Sequence, residues 1–509
     1  MKVLRLLRSF FSGSKSRPQG RRSRPWSHPR LLSWLAYGVV SLWMITGTIV
    51  TGLEVTAVQA ADQRLQSWFF TLRGPVPPPQ EIVIVAMDEN TLAQLDFYLK
   101  GPQQDWPEYV KWLASSPWQR IAQATVVQRL IEAGAKGVAI DVIFAGPSAY
   151  GAEDDQALRQ VLSTHPQSIA LAAEYLEDNA TGSFLLNLVE PSLDLDPDKT
   201  PVIGFVNALP AADGEIHALP QEYRQQIVQP LKLKTLPAFS EAALKAAQVS
   251  YPKVRGTDIF FYGPLQTFPN FSFWSILEPE SWQKHLSDGT FKDKIVFIGP
   301  TAASFQDFHP TPFSDQMPGV EIHANAAATL LQGRSIRQGI PNAIGRSVLV
   351  LFVTGTAAFL LQRSHFVMSQ LAIGMGCTLG WGVIGYVSFT QGLFTLPVVV
   401  PMGVMALSSL TFTTLNAVNE QWEKMRLRRT FERYVAASIV EEILKKPEDY
   451  QSLLEGRQVK AAVLFSDIRG FTNISEELSD AGQTQQLVQQ LNEYLDGMVQ
   501  AITQAGGTI

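Results

Sequence analysis

One cysteine occurs in the 509 residues, Cys377, and it falls inside a long apolar run. An intramolecular disulfide is therefore excluded, and any exported domain in this chain must be held together by core burial. Charge is scarce as well. Asp, Glu, Lys and Arg make up only 17% of the chain and mean hydropathy is +0.04, too apolar for a wholly soluble protein of this length. A formal net charge of −5 gives no basis for nucleic-acid binding. Protein-kinase signatures are missing: there is no Gly-rich phosphate loop, His-Arg-Asp or Asp-Phe-Gly, and neither His28 nor His365 sits in a phosphoacceptor context. Acidic residues are absent from the first thirty positions, which carry nine Lys or Arg.

What is present in excess is apolar sequence, and it is concentrated. Residues 31–53, 343–362, 366–389 and 393–415 each approach the ~20 residues that cross a bilayer's hydrocarbon core, so four transmembrane helices are expected. The basic N-terminus places residues 1–30 in the cytoplasm, and four crossings return the C-terminus to that side. Arg363 and His365 after the second span, and Lys424, Arg426, Arg428 and Arg429 after the fourth, agree; the turn at Thr390, Gln391 and Gly392 has no charge. Arg334, Arg337 and Arg346 fall on the outer side, but long domains translocate largely regardless of charge. Val58-Gln59-Ala60 could pass as a signal-peptide cleavage site, yet the preceding run is longer than a usual signal core, and an uncleaved anchor is expected.

Residues 54–342 have ordinary globular composition. The run Ile82 to Met87 ends in Asp88-Glu89 and reads as a strand buried on both faces. A helix is expected over residues 118–132, closing at Gly134, and a second buried strand over 137–144, which together suggest a parallel crossover. Further strands are expected at 168–175, 201–207, 257–262 and 294–299, giving an α/β domain with a mostly parallel sheet. Asp88, Asp141 and Thr301 fall at carboxyl ends of strands, where open parallel sheets keep ligand crevices; they are candidates for a sensor pocket, or else cap turns. Asp307, His309, Glu321 and His323 have metal-ligating chemistry, but their spacing fits no recognised site, and loop or helix-start roles are expected. Residues 75–79, rich in proline, read as a stiff spacer.

Five pieces of this region carry a resemblance: Ile-Val-Ala-Met-Asp-Glu at 84–89, Ser-Pro-Trp-Gln-Arg at 116–120, Ala-Ile-Asp-Val-Ile-Phe at 139–144, Lys-Ile-Val-Phe-Ile-Gly-Pro-Thr-Ala at 294–302 and Met-Pro-Gly-Val-Glu-Ile-His-Ala-Asn at 317–325. Residues 55–335 are similar to the CHASE2 domain, an extracytoplasmic sensor module of bacterial receptors. The resemblance implies an extracytoplasmic ligand of unknown identity, a plasma (inner) membrane location, and the three membrane helices that follow the domain.

Beyond the fourth span, Leu415, Val418, Trp422 and Met425 recur at coiled-coil spacing, which breaks at Arg429 and Glu432; a linker helix is expected over 416–456, either simply amphipathic or forming a parallel dimer contact. Residues 463–472 read Val-Leu-Phe-Ser-Asp-Ile-Arg-Gly-Phe-Thr. A strand over 459–465 would lead to Asp467, placed to hold a divalent metal, and then to a glycine turn and helix start placed to meet phosphate. An amphipathic helix follows through Leu487, Leu491, Leu495 and Val499. This run resembles the first metal motif of the class III adenylyl and guanylyl cyclases, and Phe431 to Val435 resembles their lead-in. The resemblance implies the start of an α+β ferredoxin-like cyclase domain over 457–509 and a homodimer. It also implies two divalent ions (Mg or Mn), and ATP, or less favoured GTP, converted to the cyclic 3′,5′-nucleotide and pyrophosphate. Asp467 would bind both ions and the Ile468 carbonyl one of them; Arg469, Gly470, Phe471 and Thr472 would meet the phosphates.

The family's second metal aspartate and its transition-state residues fall beyond Ile509, so no catalytic residue is assigned and this chain alone is expected to be inactive. The domain plan is then a basic cytoplasmic tail (1–30), a membrane helix (31–53), an extracytoplasmic sensor domain (54–342), three membrane helices (343–415), a cytoplasmic linker (416–456) and the first part of a cyclase domain (457–509). Two alternatives stay open: a non-catalytic sensor with a cyclase remnant for dimerisation, and a receptor with another output such as a kinase.

Overall fold

All six residues of Ile82–Met87 are buried, and they alternate between two cores. Ile82, Ile84 and Ala86 face one, while Val83, Val85 and Met87 face the other, as the two-residue period of a strand covered on both faces requires. The computed structural model describes residues 28–178, 185–364, 366–431, 460 and 462–507. The chain forms two compact units, Tyr37–Thr411 and a second comprising Met1–Ala36 with Phe412–Ile509.

In the first unit, a mixed sheet among the described residues holds seven strands: β1 (Ile82–Met87), β2 (Gly137–Ile140), β3 (Ile169–Asp178), β4 (Leu185–Val189), β5 (Val202–Phe205), β6 (Asn270–Ser272) and β7 (Ile295–Pro300). The order is β4-β3-β2-β7-β1-β6, with β5 also on β3; every pairing is parallel except β3–β4. The parallel relation of β1 and β2 is as expected, but β7 lies between them.

The helices in chain order are α1 (His28–Gly52), α2 (Thr56–Arg73), α3 (Glu89–Leu99), α4 (Glu108–Leu113), α5 (Arg120–Glu132), α6 (Ala152–Thr164), α7 (Pro220–Tyr223), α8 (Phe239–Ala246), α9 (Phe273–Leu277), α10 (Pro279–Ser287) and α11 (Gly319–Gln332). Leu130 of α5, Leu158 and Leu162 of α6 and Ile276 of α9 fill one core. Alanine-rich α8 and α11 lie against the other face, where Ala242, Ala243, Ala324 and Ala327 allow close packing. Two short hairpin strands, β8 (Phe308–Thr311) and β9 (Ser314–Pro318), precede α11.

Among the described residues, four helices are long and apolar enough to cross a membrane: α1 over Leu32–Gly52, α12 (Ala343–Arg363), α13 (Val367–Gly392) and α14 (Val399–Phe431, apolar over Val399–Arg426). The expected fourth span began at 393. Instead Phe394–Thr395 forms β11, paired with β10 (Arg337–Gln338), and α14 starts at Val399. Asp62 of α2 fixes that start, its Oδ1 accepting from the N–H groups of Val398 and Val399 at 3.1 and 2.9 Å. Helix α2 itself had no place in the sequence reading. It is clamped to α13 by Phe70 on Phe389 (4.8 Å) and Phe69 on Tyr386 (5.5 Å).

One other expectation needs correction. Residues 257–262 are buried from 259 onward but form no strand beyond two bridges at Asp258, because side chains of α11 take two of their backbone donors. Phe260 N donates to Thr329 Oγ1 and Tyr262 N to Asn325 Oδ1, both at 3.0 Å. Residues 75–79, expected as a stiff spacer, form no helix or strand, and Val76 N donates to the Tyr262 carbonyl at 2.6 Å.

In the second unit, α14 continues to Phe431 and so includes Leu415, Val418, Trp422 and Met425. The expected linker beyond Phe431 lies outside the described residues. The expected strand over 459–465 is not formed among the described residues 460 and 462–465, which have no ladder partner; Val463, Leu464 and Phe465 are exposed. An apolar segment becomes a stable strand only when a neighbour takes its backbone groups. Past a turn at Arg469-Gly470 come α15 (Phe471–Asp480) and α16 (Thr484–Gln504), the latter carrying Leu487, Leu491, Leu495 and Val499.

Candidate functional site

The carboxyl end of β2 stops one residue short of Asp141, whose N–H donates to the Ile298 carbonyl at 2.7 Å before the chain leaves the sheet. Gly299 of β7 makes room here: a Cβ on it would come within 2.8 Å of Val320 Cβ and 3.0 Å of Asp141 Cβ. Val320 opens α11, and His323 lies one turn further on with its ring edge-on to Phe239 at 5.2 Å. His323 Nε2 is 4.0 Å from Asp141 Oδ2, too far for a hydrogen bond. Asp141 Oδ2 and His323 Nδ1 are both enclosed and have no hydrogen-bond partner.

Asp307 approaches from the β7–β8 connection. Its carbonyl accepts from Gly319 N at 3.2 Å, and a Cβ on Gly319 would lie 2.6 Å from its Oδ2. His309 of β8 stands beside it, Nε2 to Oδ1 3.3 Å. Glu174 of β3 is the fifth member, close enough to feel the charges of Asp307 and His309. The cluster is graded: the side chains of Asp141 and His323 are 10% and 5% exposed, those of Asp307 and His309 33% and 49%. Burial, with Asp307 and Glu174 adding repulsion, pushes Asp141 well above the usual carboxylate range. Burial and Asp307 raise Glu174 too. Burial pulls His323 down to about 4 against the attraction of Asp307, so its imidazole is neutral. A cavity of about 460 Å³ adjoins Asp141 at the ends of β1, β2 and β7, lined also by Met87, Trp118, Arg120, Phe144 and Pro300.

A second cluster lies nearer the membrane helices. His217 Nε2 is 3.0 Å from Asp213 Oδ2 and 3.5 Å from Glu215 Oε2, and Ser67 of α2 donates to Glu215 Oε2 at 2.6 Å. Burial alone would lower His217, but the two carboxylates outweigh it and raise it to about 9. Both carboxyls respond in the opposite direction: Asp213 is lowered by His217 despite burial, and Glu215 is lowered chiefly by the same hydrogen bond. The three ligand-type atoms lie within 4.8 Å of one another. The imidazolium offsets one of the two carboxylate charges, which makes this a buried ion-pair triad. It borders a crevice of about 890 Å³ lined by Asp62, Gln66, Asp258, Arg337 and Arg346.

Of the three residues read as a sensor pocket, only Asp141 belongs to one. Asp88 caps α3, accepting from Thr91 N at 2.9 Å, Thr91 Oγ1 at 2.7 Å and Ser272 Oγ at 2.8 Å. Thr301 N donates to the Met87 carbonyl at 3.1 Å, closing the β1–β7 ladder, and neither residue lines the cavity. The group set aside for want of a spacing rule falls into two pairs instead: His323 lies 4.0 Å from Asp141 and His309 lies 3.3 Å from Asp307. Glu321 is separate, accepting from Gln266 N at 2.9 and 3.2 Å, and burial raises it to about 7. Glu174 was missed, since a lone acid within an apolar strand carries no signal. The triad was missed too, although its alternation over 213, 215 and 217 is a strand-like metal or ion-pair spacing. Asp467 is exposed and its Oδ1 accepts from Ile468 N at 2.9 Å; Arg469, Gly470, Phe471 and Thr472 form the turn and first residues of α15, with Gly470 at φ +77°.

No curated protein and no solved structure matches the chain. The family model of the CHASE2 domain matches residues 40–360, which include β1 to β10, both histidine clusters and most of α12. An extracellular ligand-sensing architecture, a mostly parallel sheet with its crevice at the carboxyl ends and four membrane-length helices thus coincide in one chain, which belongs to the CHASE2 domain family.

Proposed function

We propose that this protein is a membrane receptor of a bacterial inner membrane whose CHASE2 domain senses an extracytoplasmic ligand and whose C-terminal part directs class III nucleotide cyclase output. The observation that carries the reading is Asp141 at the crevice: a domain of ligand-sensing family keeps a buried, unpartnered carboxyl oxygen beside a cavity at the carboxyl ends of its sheet. Support for the output comes from the cyclase-like run at 463–472 and from α14, which continues as one helix from its apolar part to Phe431. Homodimerisation through the Leu415 to Met425 face and selection of ATP over GTP belong to the same proposal.

The described residues do not by themselves fit a two-metal centre. Asp467 is exposed and engaged with its neighbour's N–H, and residues 462–468 have no strand beside them. Cyclisation therefore requires further sheet from a longer polypeptide or a second chain, and no catalytic step is assigned to this one. The test is cyclic-nucleotide formation from ATP and GTP with Mn²⁺ by membranes containing the full gene product. Activity lost with Asp467→Asn supports the reading; a product with normal membrane insertion and no cyclase activity favours the non-catalytic sensor. Reporter fusions at the exposed Gly289 turn and after Arg426 test the orientation. A reporter at Gly289 that works only in the cytoplasm overturns it.

A further inference from the structure

We infer that the free face of α2, formed by Arg64, Trp68 and Leu72, is a lipid-contact surface that lies in the headgroup region of the bilayer leaflet beneath the sensor domain. The inference rests on the reading of α1, α12, α13 and α14 as membrane spans, and is independent of the sensed ligand and of the output.

Three contacts set the depth of α2. It begins at Thr56, shortly after α1 ends at Gly52. Asp62 caps α14 at its start, accepting from Val398 N at 3.1 Å and Val399 N at 2.9 Å. Phe69 and Phe70 pack on Tyr386 and Phe389, at 5.5 and 4.8 Å, in the last two turns of α13. α2 is thus held at the level where one span ends, another begins and a third makes its final turns. Ends and non-helical connections of membrane spans belong at the boundary between hydrocarbon and headgroups, where water and lipid polar groups can meet the backbone.

The helical period says which way the free face looks. Gln63, Ser67 and Phe70 turn to the domain: Gln63 Oε1 accepts from Asp213 N at 3.3 Å, Ser67 donates to Glu215 Oε2 at 2.6 Å, and Phe70 packs edge-on to Phe261 at 5.9 Å. Arg64, Trp68 and Leu72 recur every four residues on a stripe centred about 130° around the helix from those three, so they look away from the domain. All three are exposed, Trp68 by 59% and Leu72 by 54%. The stripe continues an apolar surface that already belongs to lipid, because Ile45 and Ile49 of α1, and Leu53 just after it, are exposed and lead up to α2. Its chemistry suits headgroups: an indole prefers the interface, a leucine reaches below it, and Arg64, which has no ion pair among the described residues, can meet a lipid phosphate.

The experiment uses the full chain in nanodiscs of phosphatidylcholine and phosphatidylglycerol, with its single thiol removed as Cys377→Ser. Trp68→Cys and Leu72→Cys are labelled with an environment-sensitive fluorophore, and Phe352→Cys, exposed in the middle of α12, serves as the reference. Quenchers are aqueous iodide and phospholipids carrying a nitroxide either near the headgroup end of the acyl chain or near its terminus. At both α2 positions the emission should be lost to the shallow nitroxide more than to the deep one and be shielded from iodide, whereas at the reference the deep nitroxide should quench more. The inference is overturned if neither nitroxide quenches the two α2 positions. Iodide quenching would then show a face turned to water, and disulfide cross-linking between copies through Trp68→Cys would show a face covered by a second chain. Stronger quenching by the deep nitroxide at both positions would equally overturn the headgroup placement. Nitroxide quenching at the reference alone breaks this inference and leaves the membrane reading standing; none at any of the three positions breaks the membrane reading beneath it.

Discussion

His217 and His323 are buried to the same degree, each 4% exposed, yet their proton affinities move in opposite directions. His217 is raised to about 9 and His323 lowered to about 4. The difference is partnership. His217 has carboxylates at 3.0 and 3.5 Å, while His323 has one at 4.0 Å that shares no hydrogen bond with it. One cluster is closed by hydrogen bonds and fastens the domain to α2; the other is left open, a buried carboxyl and imidazole with no hydrogen bond between them.

The largest test removes each imidazole in turn and measures unfolding of the full chain. His217→Gln leaves Asp213 and Glu215 facing each other with no cation, and should cost about 3–5 kcal/mol at pH 7. His323→Gln removes no hydrogen bond and should cost under ~1 kcal/mol. The pH dependence sharpens this. The folded value for His217 lies above the ordinary 6.5, so its stabilisation is complete below pH 6.5 and is lost as pH rises towards 9. Asp213 and Glu215 are lowered, so their share is present above their ordinary values of 3.8 and 4.5 and is lost as pH falls further. The stability gap between wild type and His217→Gln should thus be widest near pH 5–6 and shrink by about 3 kcal/mol above pH 9. A gap that does not change with pH would break the ion-pair assignment.

The same neutralising substitution should act with opposite sign in the two clusters. Asp213→Asn deprives a charged histidine of its nearest partner and should destabilise by about 2 kcal/mol. Asp141 is raised by burial and by Asp307 and Glu174, so ionising it as pH rises takes stability away. Asp141→Asn should therefore stabilise the chain, by about 1 kcal/mol at pH 7. Equal losses in both variants, by chemical denaturation, would erase the distinction drawn here.

The sequence showed the sheet better than it showed the site. β1, β2 and β7 were legible because an apolar run closed by a turn residue leaves few alternatives, and Asp141 followed from the rule that parallel sheets bind at their carboxyl ends. Residues 257–262 misled because an apolar run reports burial and not who takes the backbone N–H groups; Asn325 and Thr329, over sixty residues away, take them. Helix α2 escaped because Asp62, Gln63 and Gln66 dilute the apolar face that Phe69 and Phe70 present. His323 had the right chemistry, but only the fold, with Gly299 letting Asp141 and the start of α11 approach closely, brings it to 4.0 Å from Asp141. Glu174 had no local mark at all.

A further expected effect concerns how the closed cluster is fastened to the membrane side. Ser67 donates to Glu215 Oε2 at 2.6 Å, a bond from α2 to the triad, and α2 leads from α1 into β1. Ser67→Ala removes a donor to a charged acceptor and should cost about 1–2 kcal/mol, less than either triad substitution, because His217 still neutralises Glu215. In a double-mutant cycle with Glu215→Gln, the coupling should be about 1 kcal/mol, whereas Ser67→Ala with Asp141→Asn should be additive to within ~0.5 kcal/mol. Strong coupling of Ser67 to Asp141 would mean that the open and closed clusters respond as one unit. The crevice would then already be communicating with α2 in its empty state, and the contrast between a closed fastening and an open site would have to be given up.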